Sequence, residues 1–402
     1  MITFADVEQA RTRTKDQIYL SPFPHSETIS RMTSNNVFFK LENLQMTGSF
    51  KERGALNRLL SLTSAEARRG VIAASAGNHG MAVAFHSRRL NIAATIVMPV
   101  TAPLIKVTRV RQYGAESVLY GSDYDAAYAE ALRLSKEKRL TFISAFDDPW
   151  IVAGQGTIGL ELYEQNPDLD AVLVPVGGGG LISGIALALK TLRPKIRIIG
   201  VQAEALPSMK IALEKGAPAE LPPATTIADG IAVRLVGATP FELVKSYVDE
   251  IVTVSEGEIA NAVLMLLEIE KTVAEGAAAV PLAALINKKA SLADKNVGLV
   301  ISGGNIDMNL ISRIIESGLI QDGRLGRFSI VIPDRPGSLA RLAQRVGDLG
   351  ANILHIIHSR GFGATAIGET EVELILETTG TEHIQRIYET LRADHFKIKN
   401  EP

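Results

Sequence analysis

A single lysine in the segment TGSFKERGA could act as a nucleophile. Lys51 follows a turn of small residues (47–49) and begins a helix-compatible segment that continues through Leu60. A lysine amine has an ordinary pKa of about 10.4, but the apolar neighbour Phe50 and a nearby helix N-terminus favour the neutral amine, which could form a Schiff base. The local chemistry also allows a second interpretation, in which Lys51 and the two charged residues after it are solvated residues of a first helical turn.

Four consecutive glycines, Gly177, Gly178, Gly179 and Gly180, separate an apolar strand from an apolar helix. Ordering four glycines is entropically costly. Without Cβ atoms, however, successive backbone N–H groups can turn inward around an anion at a helix N-terminus. The segment lacks the lysine and the serine or threonine of a nucleotide P-loop, so it favours a phosphate that is not part of a nucleotide. A tight strand-to-helix turn without a ligand is the alternative.

Two further loops of small residues follow apolar strands. One contains Ser75, Ala76, Gly77, Asn78 and His79, and the other begins at Ser302 (SGGN). The amide of Asn78 can donate and accept hydrogen bonds, which suits a carboxylate or a ring hydroxyl, whereas we interpret the imidazole of His79 as a packing group. Ligands of open α/β sheets bind beyond the carboxyl ends of the strands, so we expect these loops to line one site.

The elements that position these loops alternate between short β-branched strands and longer helical segments from residue 36 to 302. This order predicts βα units and a parallel sheet. Two helices are expected at 123–136 and 258–271 from their composition and spacing. The strands are expected at 37–41, 71–74, 94–98, 117–120, 171–175, 196–201 and 297–301.

A second, smaller domain is predicted after a glycine-containing hinge at 317–327. Its expected order is a strand (328–332), a turn (333–337), a helix, a strand (353–358), a glycine-containing turn (360–364), a strand (370–378) and a helix (381–392). This βαββα unit should form an open sheet covered by helices on one side. We therefore predict two domains, 1–320 and 327–402.

The composition of the 402-residue chain is that of a globular protein, with 46% hydrophobic and 21% charged residues. A net charge of −2 indicates no affinity for nucleic acid or for an anionic membrane. The chain has no cysteine, which excludes thiolate chemistry and disulfides. We see no signal peptide and no span long enough for a bilayer, so we expect a cytoplasmic protein that binds small molecules.

Four motifs, in their order along residues 5–320, resemble those of the serine/threonine dehydratase family of fold-type II pyridoxal-phosphate enzymes. The motifs are SFKERGA, SAGNHG, GGGGL and SGGN. The resemblance implies two subdomains with parallel sheets, as in the β subunit of tryptophan synthase, and pyridoxal 5'-phosphate as the cofactor. It implies that Lys51 binds the cofactor covalently, that Phe50 packs beside its ring, and that Asn78 hydrogen-bonds its 3-hydroxyl. It also implies that the four glycines hold the phosphate, that Ser302 meets the ring nitrogen, and that the Ser75–His79 loop receives the substrate carboxylate.

The chemistry implied by this resemblance is β-elimination, which converts L-threonine to 2-oxobutanoate and ammonia and also acts on L-serine. Lys51 would take the Cα proton, and the cofactor phosphate would protonate the departing hydroxyl. Related racemases resemble this chain but have a serine where Ala76 stands, so racemisation should be minor. Relatives that bind a divalent metal have carboxylates near Glu204, where this chain has Gln202 and Ser208, so we expect no metal.

The C-terminal unit resembles an ACT domain, a type of amino-acid-binding domain. Such domains pair side by side and bind effectors at the seam, which implies a homo-oligomer, either a dimer or a tetramer. Isoleucine or valine would be candidate effectors, and a domain used only for oligomerisation is the alternative. The candidate effector residues are Asp334, Arg335, Pro336, Gly337, Ser338 and Asn352.

Other functions stay open from sequence alone. One is a dehydratase for L-serine or 3-hydroxyaspartate, and another is a β-replacement synthase of the same fold. A third is an amino-acid sensor without catalytic activity, against which the presence of Lys51 argues.

Overall fold

Most strands of the chain lie in two parallel sheets within its first compact unit, residues 1–306, and the second unit comprises residues 307–402. The computed structural model describes residues 2–359 and 366–399. The strands of the first unit are β1 (His25–Ser26), β2 (Asn36–Leu41), β3 (Val71–Ala74), β4 (Ala94–Met98), β5 (Glu116–Leu119), β6 (Thr141–Phe142), β7 (Ala171–Pro175), β8 (Arg197–Ala203), β9 (Glu250–Val254) and β10 (Asn296–Ile301).

Helices connect and cover these strands. They are α1 (Phe4–Thr14), α2 (Glu27–Thr33), α3 (Lys51–Leu60), α4 (Ser64–Arg69), α5 (Asn78–Arg89), α6 (Leu104–Gln112), α7 (Tyr124–Lys138), α8 (Pro149–Gln165), α9 (Gly180–Leu192), α10 (Ser208–Lys215), α11 (Ala238–Tyr247), α12 (Glu256–Glu268) and α13 (Gly276–Ile286). Within the described part of the chain, no helix combines the length and the apolar character needed to cross a bilayer.

The larger sheet has six strands in the order β1-β2-β10-β7-β8-β9, and the smaller has four in the order β5-β4-β3-β6. All neighbours pair in parallel except β1 with β2. Strands β3, β4 and β7 are buried along their whole length, which is typical of a parallel sheet covered on both faces. The predicted α/β fold with parallel pairing is confirmed.

The observed helix boundaries differ from the predicted ones, and capping residues explain where the helices begin. Helix α7 begins directly after Asp123, whose side chain accepts a hydrogen bond from the N–H of Ala126. Helix α12 begins at Glu256, two residues before the prediction, because Ser255 and Glu258 form a capping box. It ends at Glu268, and Lys271 has a positive φ of 54°, which a helix cannot contain.

The second unit contains α14 (Met308–Gln321), β11 (Leu325–Pro333), α15 (Ser338–Asp348), β12 (Asn352–Ser359), β13 (Glu369–Glu377), α16 (Thr381–Ala393) and β14 (Lys397–Ile398). Its antiparallel sheet has the order β12-β13-β11-β14. One face carries a core that includes Phe328, Leu342 and Leu374.

The second unit departs from the prediction in three places. The order has an additional short strand, β14, after the predicted βαββα elements. The predicted hinge at 317–327 is mostly regular structure, because α14 continues to Gln321 and β11 begins at Leu325. The division between the units lies at 306/307, so α14 groups with the second unit. The predicted glycine-containing turn at 360–364 lies outside the described residues.

Candidate active site

Lys51 is the first residue of α3 and lies at the carboxyl end of the larger sheet. The turn before it depends on Gly48, whose φ of +78° is in the left-handed region that favours glycine. The N–H of Phe50 donates to the carbonyl oxygen of Ser302 (3.0 Å), the residue directly after β10. The Lys51 loop is therefore bound to the Ser302 loop, as the sequence predicts for one shared site.

The ammonium of Lys51 is largely removed from solvent. Its Nζ donates to the carbonyl oxygen of Ala145 (2.7 Å) and lies 5.1 Å from the centroid of the Phe50 ring. Burial lowers the pKa of the Lys51 amine to about 8, and the negative charge of Glu275 opposes this shift. A substantial fraction of the amine is therefore neutral near physiological pH, which a nucleophile or a general base requires.

The two charged residues after Lys51 are buried, so the interpretation as a solvated first turn is wrong. Arg53 is 2% exposed and binds Glu42 through two hydrogen bonds of 2.7 and 2.8 Å. It also binds Glu161 of α8 at 2.6 and 2.8 Å. Glu52 is fully buried and accepts a hydrogen bond from the backbone N–H of Thr47. These contacts fix the first turn of α3 and hence the position of Lys51.

The four glycines form a cradle at the N-terminus of α9. Gly179 has a φ of +96°, and a Cβ added at any of the four would lie within 3.0 Å of another protein atom. In the described part of the chain, the N–H groups of Gly177 to Gly180 donate no hydrogen bond. Largely buried donors that lack a protein acceptor at a helix N-terminus suit a phosphate.

Asn78 begins α5, so the last two residues of the predicted loop, Asn78 and His79, belong to the helix. Its Nδ2 donates to the carboxylate of Glu275 (2.7 Å), and its Oδ1 accepts from Nδ2 of Asn305 (2.8 Å). Burial, followed by the charge of Asp229, raises the pKa of Glu275 to about 7. Sequence reasoning missed Glu275, because it lies in a segment without a glycine loop or a motif, 197 residues from Asn78.

Apart from Asn78, the side chains from Ser75 to His79 make local or packing contacts. The hydroxyl of Ser75 accepts from the N–H of Gly77 (3.1 Å), and a Cβ added at Gly77 would meet no described atom within 4 Å. Ala76 packs beside the core of the smaller sheet. The ring of His79 is buried at 3.0 Å from the carbonyl oxygen of Ile143, and burial lowers its pKa to about 3. Its side chain is thus a packing group.

A second segment that sequence reasoning missed, Ala145 to Asp148, connects several parts of the site. The backbone of Phe146 lies against Gly180, and its ring lies against Gly178. The Asp147 carboxylate accepts from two N–H groups at the start of α11 (2.9 and 3.2 Å). Asp148 caps α8 and pairs with Arg58 of α3 (3.0 Å). Only the DP pair at its end, typical of a helix start, marks it in the sequence.

The residues considered for a metal site are occupied by protein contacts. Nε2 of Gln202 donates to the carbonyl oxygen of Val176 (3.2 Å), and its Oε1 accepts from the N–H of Lys210 (3.0 Å). The hydroxyl of Ser208 lies 3.4 Å from Nε2 of Gln202. Among residues 2–359 and 366–399, no group of three or more histidine, aspartate or glutamate side chains could hold a metal ion.

The candidate effector residues are divided between two ends of the second sheet. Asp334 to Ser338 follow β11, and Gly337 has a φ of +88° directly before α15. Pro333 pairs with one end of β13 and Asn352 with the other, so about 26 Å of strand separates them. Asn352 hydrogen-bonds Glu377 (3.1 Å). Within one chain, the structure does not bring Asn352 to the other five residues.

Comparison with known proteins decides the family. Residues 15–303 match the family described as pyridoxal-phosphate dependent enzyme, and residues 327–396 match the ACT domain. The chain belongs to the pyridoxal-phosphate-dependent enzyme family. A relative from Thermotoga maritima, an L-threonine ammonia-lyase, is 46% identical over 399 residues, which cover 99% of each chain.

Two solved structures are similar to most of this enzyme. The processed form of threonine deaminase isoform 2 from Solanum lycopersicum has a TM-score of 0.74 and 37% identity, over 78% of this chain and 89% of that chain. Maize serine racemase has a TM-score of 0.74 and 32% identity, over 80% of this chain and 98% of that chain. The predicted fold class and the predicted cofactor are confirmed.

The residues of this enzyme fit pyridoxal phosphate. The glycine N–H groups suit its phosphate, and the buried amine of Lys51 has the pKa that covalent binding of an aldehyde needs. Ser302 lies beside the loop that precedes Lys51. Its side chain is a hydroxyl, which can hydrogen-bond the ring nitrogen without placing a full charge next to it. The roles of individual residues remain predictions.

Proposed function

We propose that this protein is a threonine ammonia-lyase that converts L-threonine to 2-oxobutanoate and ammonia and also accepts L-serine. The observation that carries the proposal is the buried Lys51 amine, held by Ala145 at the end of the larger sheet, in a chain that resembles L-threonine ammonia-lyases over its full length. The same amine can hold the cofactor and then act on the substrate.

The mechanism requires the chain to position one proton acceptor and to hold two anions. When bound, pyridoxal phosphate withdraws electrons from the substrate Cα and so weakens its C–H bond. Lys51 takes the Cα proton, because its amine is neutral in a substantial fraction of molecules near pH 7 to 8. The N–H groups of Gly177–Gly180 hold the phosphate, and the backbone at the start of α5 receives the substrate carboxylate.

The small residue Ala76 supports elimination over racemisation. Racemisation needs a second proton donor on the opposite face of the substrate from Lys51, and an alanine methyl has no exchangeable proton. Asn78 and Ser302 hold the orientation of the ring through an amide N–H and a hydroxyl, neither of which titrates near neutral pH. Because Ala76 offers no proton on the second face, protonation at Cα from that face is slow, and loss of the β-hydroxyl dominates.

The ACT domain supports control by an amino acid. We propose an effector carboxylate at the N-terminus of α15, beside Asp334–Ser338, in a homo-oligomer in which the domains of two chains pair. Because Asn352 lies at the far end of the sheet, it can contact that effector only from a second chain. An ACT domain used only for assembly would bind no amino acid.

Release of 2-oxo acid from L-threonine, L-serine and threo-3-hydroxyaspartate tests the function. We expect the highest kcat/KM with threonine, and no activity in Lys51→Ala. Lys215→Ala, which removes an exposed lysine at the end of α10, is the matched control and should keep full activity. No release from any substrate, despite bound cofactor, would instead favour a β-replacement synthase.

A further inference from the structure

A chain of side-chain amides connects the Lys51 loop to Glu275. Nδ2 of Asn305 donates to the carbonyl oxygen of Thr47 (2.7 Å) and to Oδ1 of Asn78 (2.8 Å). Nδ2 of Asn78 in turn donates to Oε1 of Glu275 (2.7 Å). The chain thus joins residues that follow β10, begin α5 and precede α13.

The acceptors at the two ends fix the orientation of both amides. The carbonyl oxygen of Thr47 can only accept, so Asn305 must direct its Nδ2 toward it. Arg109 donates to the remaining Oδ1 of Asn305 (3.2 Å), which favours the same orientation. Asn305 therefore presents a donor to Asn78, and Asn78 presents its own Nδ2 to Glu275. Asn78 has one N–H left to donate to a ligand.

Backbone and packing contacts hold Glu275 in this position. It is 5% exposed, and its backbone N–H donates to the carbonyl oxygen of Gly303 (3.0 Å). A Cβ added at Gly303 would lie 2.5 Å from Oε1 of Glu275, so the carboxylate packs directly on the Ser302 loop. The charged groups that face it are Asp229, Lys106 and Lys51.

We propose that Glu275 and Asn305 are positioning residues, which fix the amide of Asn78 so that its remaining N–H is presented to the bound cofactor. Neither residue needs to contact the reacting atoms. The inference deepens the proposed function, and only its activity readout rests on that function, because cofactor affinity does not depend on the substrate.

Substitutions at Glu275 separate the hydrogen bond from the charge. Glu275→Gln keeps an acceptor of the same size, so we expect the dissociation constant of pyridoxal phosphate to rise less than about fivefold near pH 8. Glu275→Leu removes the acceptor and should raise it about tenfold to a hundredfold, with a shift in the absorbance band of the bound cofactor. Glu270→Gln, at a glutamate that accepts from Ser26, is the matched control and should change neither.

Asn305→Asp tests the other end of the hydrogen-bonded series of amides. An aspartate cannot donate to Asn78, and its charge repels Oδ1 of Asn78, so we expect a loss of cofactor affinity at least as large as in Glu275→Leu. Asn36→Asp is the control, because Asn36 donates to Asn296 at the opposite, exposed ends of β2 and β10. The control should bind the cofactor as the parent does.

The pH dependence adds a readout that a purely structural role would not change. Burial and the charge of Asp229 raise the pKa of Glu275 to about 7. Protonation of Lys51, whose pKa is about 8, should lower cofactor affinity and kcat/KM in both proteins as pH decreases. The parent should show a further decrease through about 7, and this additional transition should be absent in Glu275→Gln.

Two results would overturn the proposal. One is cofactor affinity and absorbance in Glu275→Leu equal to those of the parent. The other is Asn305→Asp behaving as Asn36→Asp does. If the parent binds pyridoxal phosphate but releases no 2-oxo acid, the proposed function fails while the affinity measurements still decide the role of Glu275 and Asn305.

Discussion

The reactivity of Lys51 in protein freed of its cofactor provides a direct test of the site's electrostatics. The perturbation is pH. Burial lowers the pKa of Lys51 to about 8, whereas Glu275 provides a partly compensating negative charge. Only the neutral amine attacks an electrophile, so the rate of modification of Lys51 should follow its deprotonation.

The magnitude follows from the two pKa values. At pH 7.5, an amine with a pKa of 8 is neutral in about a quarter of molecules, whereas an ordinary lysine is neutral in about a thousandth. For equal access, Lys51 should therefore react about two hundred times faster than a solvated lysine at this pH. Glu275→Gln should move the midpoint of Lys51 further down, because the charge that favours the ammonium is gone.

Trace acetylation with acetic anhydride, followed by mass spectrometry of each lysine-containing peptide, measures these rates separately. We would vary the pH between about 6 and 11. Exposed lysines such as Lys215 serve as internal controls for access to the reagent. A midpoint for Lys51 near the ordinary lysine value of about 10.4 would refute the argument that burial activates it. A midpoint that rises in Glu275→Gln would refute the assigned role of its charge.

Three further predictions concern the cradle, the buried charges and the second unit. Gly178→Ala should weaken binding of pyridoxal phosphate at least tenfold by absorbance titration, because its Cβ collides with the ring of Phe146. Arg53→Leu should lower the free energy of unfolding, measured by urea denaturation, by about 3–5 kcal/mol, since buried Glu42 loses its partner. Arg133→Leu is the control, at an exposed arginine with two glutamate partners, and should leave the free energy of unfolding unchanged within error. Deleting residues 307–402 should abolish any change of the KM for threonine caused by added isoleucine or valine.

The catalytic fold could be predicted from sequence because its strands are buried on both faces. Strands β3, β4 and β7 appear as short uninterrupted apolar runs, and their observed bounds equal the predicted ones. The strands that were missed carry no such pattern. β1 and β6 have two residues each, and β9 is a short run at the edge of the sheet. The division into two separate sheets came from the family resemblance, since alternation alone does not say which strands pair.

The candidate site could be predicted where the chemistry requires an unusual local sequence. A cradle of N–H groups needs glycines, and these are visible in the chain. Glu275 and the segment Ala145–Asp148 have no such requirement, because a carboxylate and backbone carbonyls occur everywhere. Their importance comes from tertiary contacts: Nδ2 of Asn78 reaches Glu275 across 197 residues, and Nζ of Lys51 reaches Ala145 across 94.

The three charged residues that begin α3 explain why local reasoning about Lys51 was ambiguous. Successive side chains on a helix point about 100° apart, so three neighbours face three environments. Lys51 faces the site, Glu52 lies fully buried at 3.3 Å from His86, and Arg53 enters the cluster with Glu42 and Glu161. A solvated first turn would place all three in water at little cost. Here Glu52 and Arg53 are buried and Lys51 is partly buried. The partners of Glu52 and Arg53 anchor the helix whose first residue keeps a partly neutral amine. Two positions that look highly polar in the sequence, Glu52 and Arg53, are thus the ones that hold Lys51 in place.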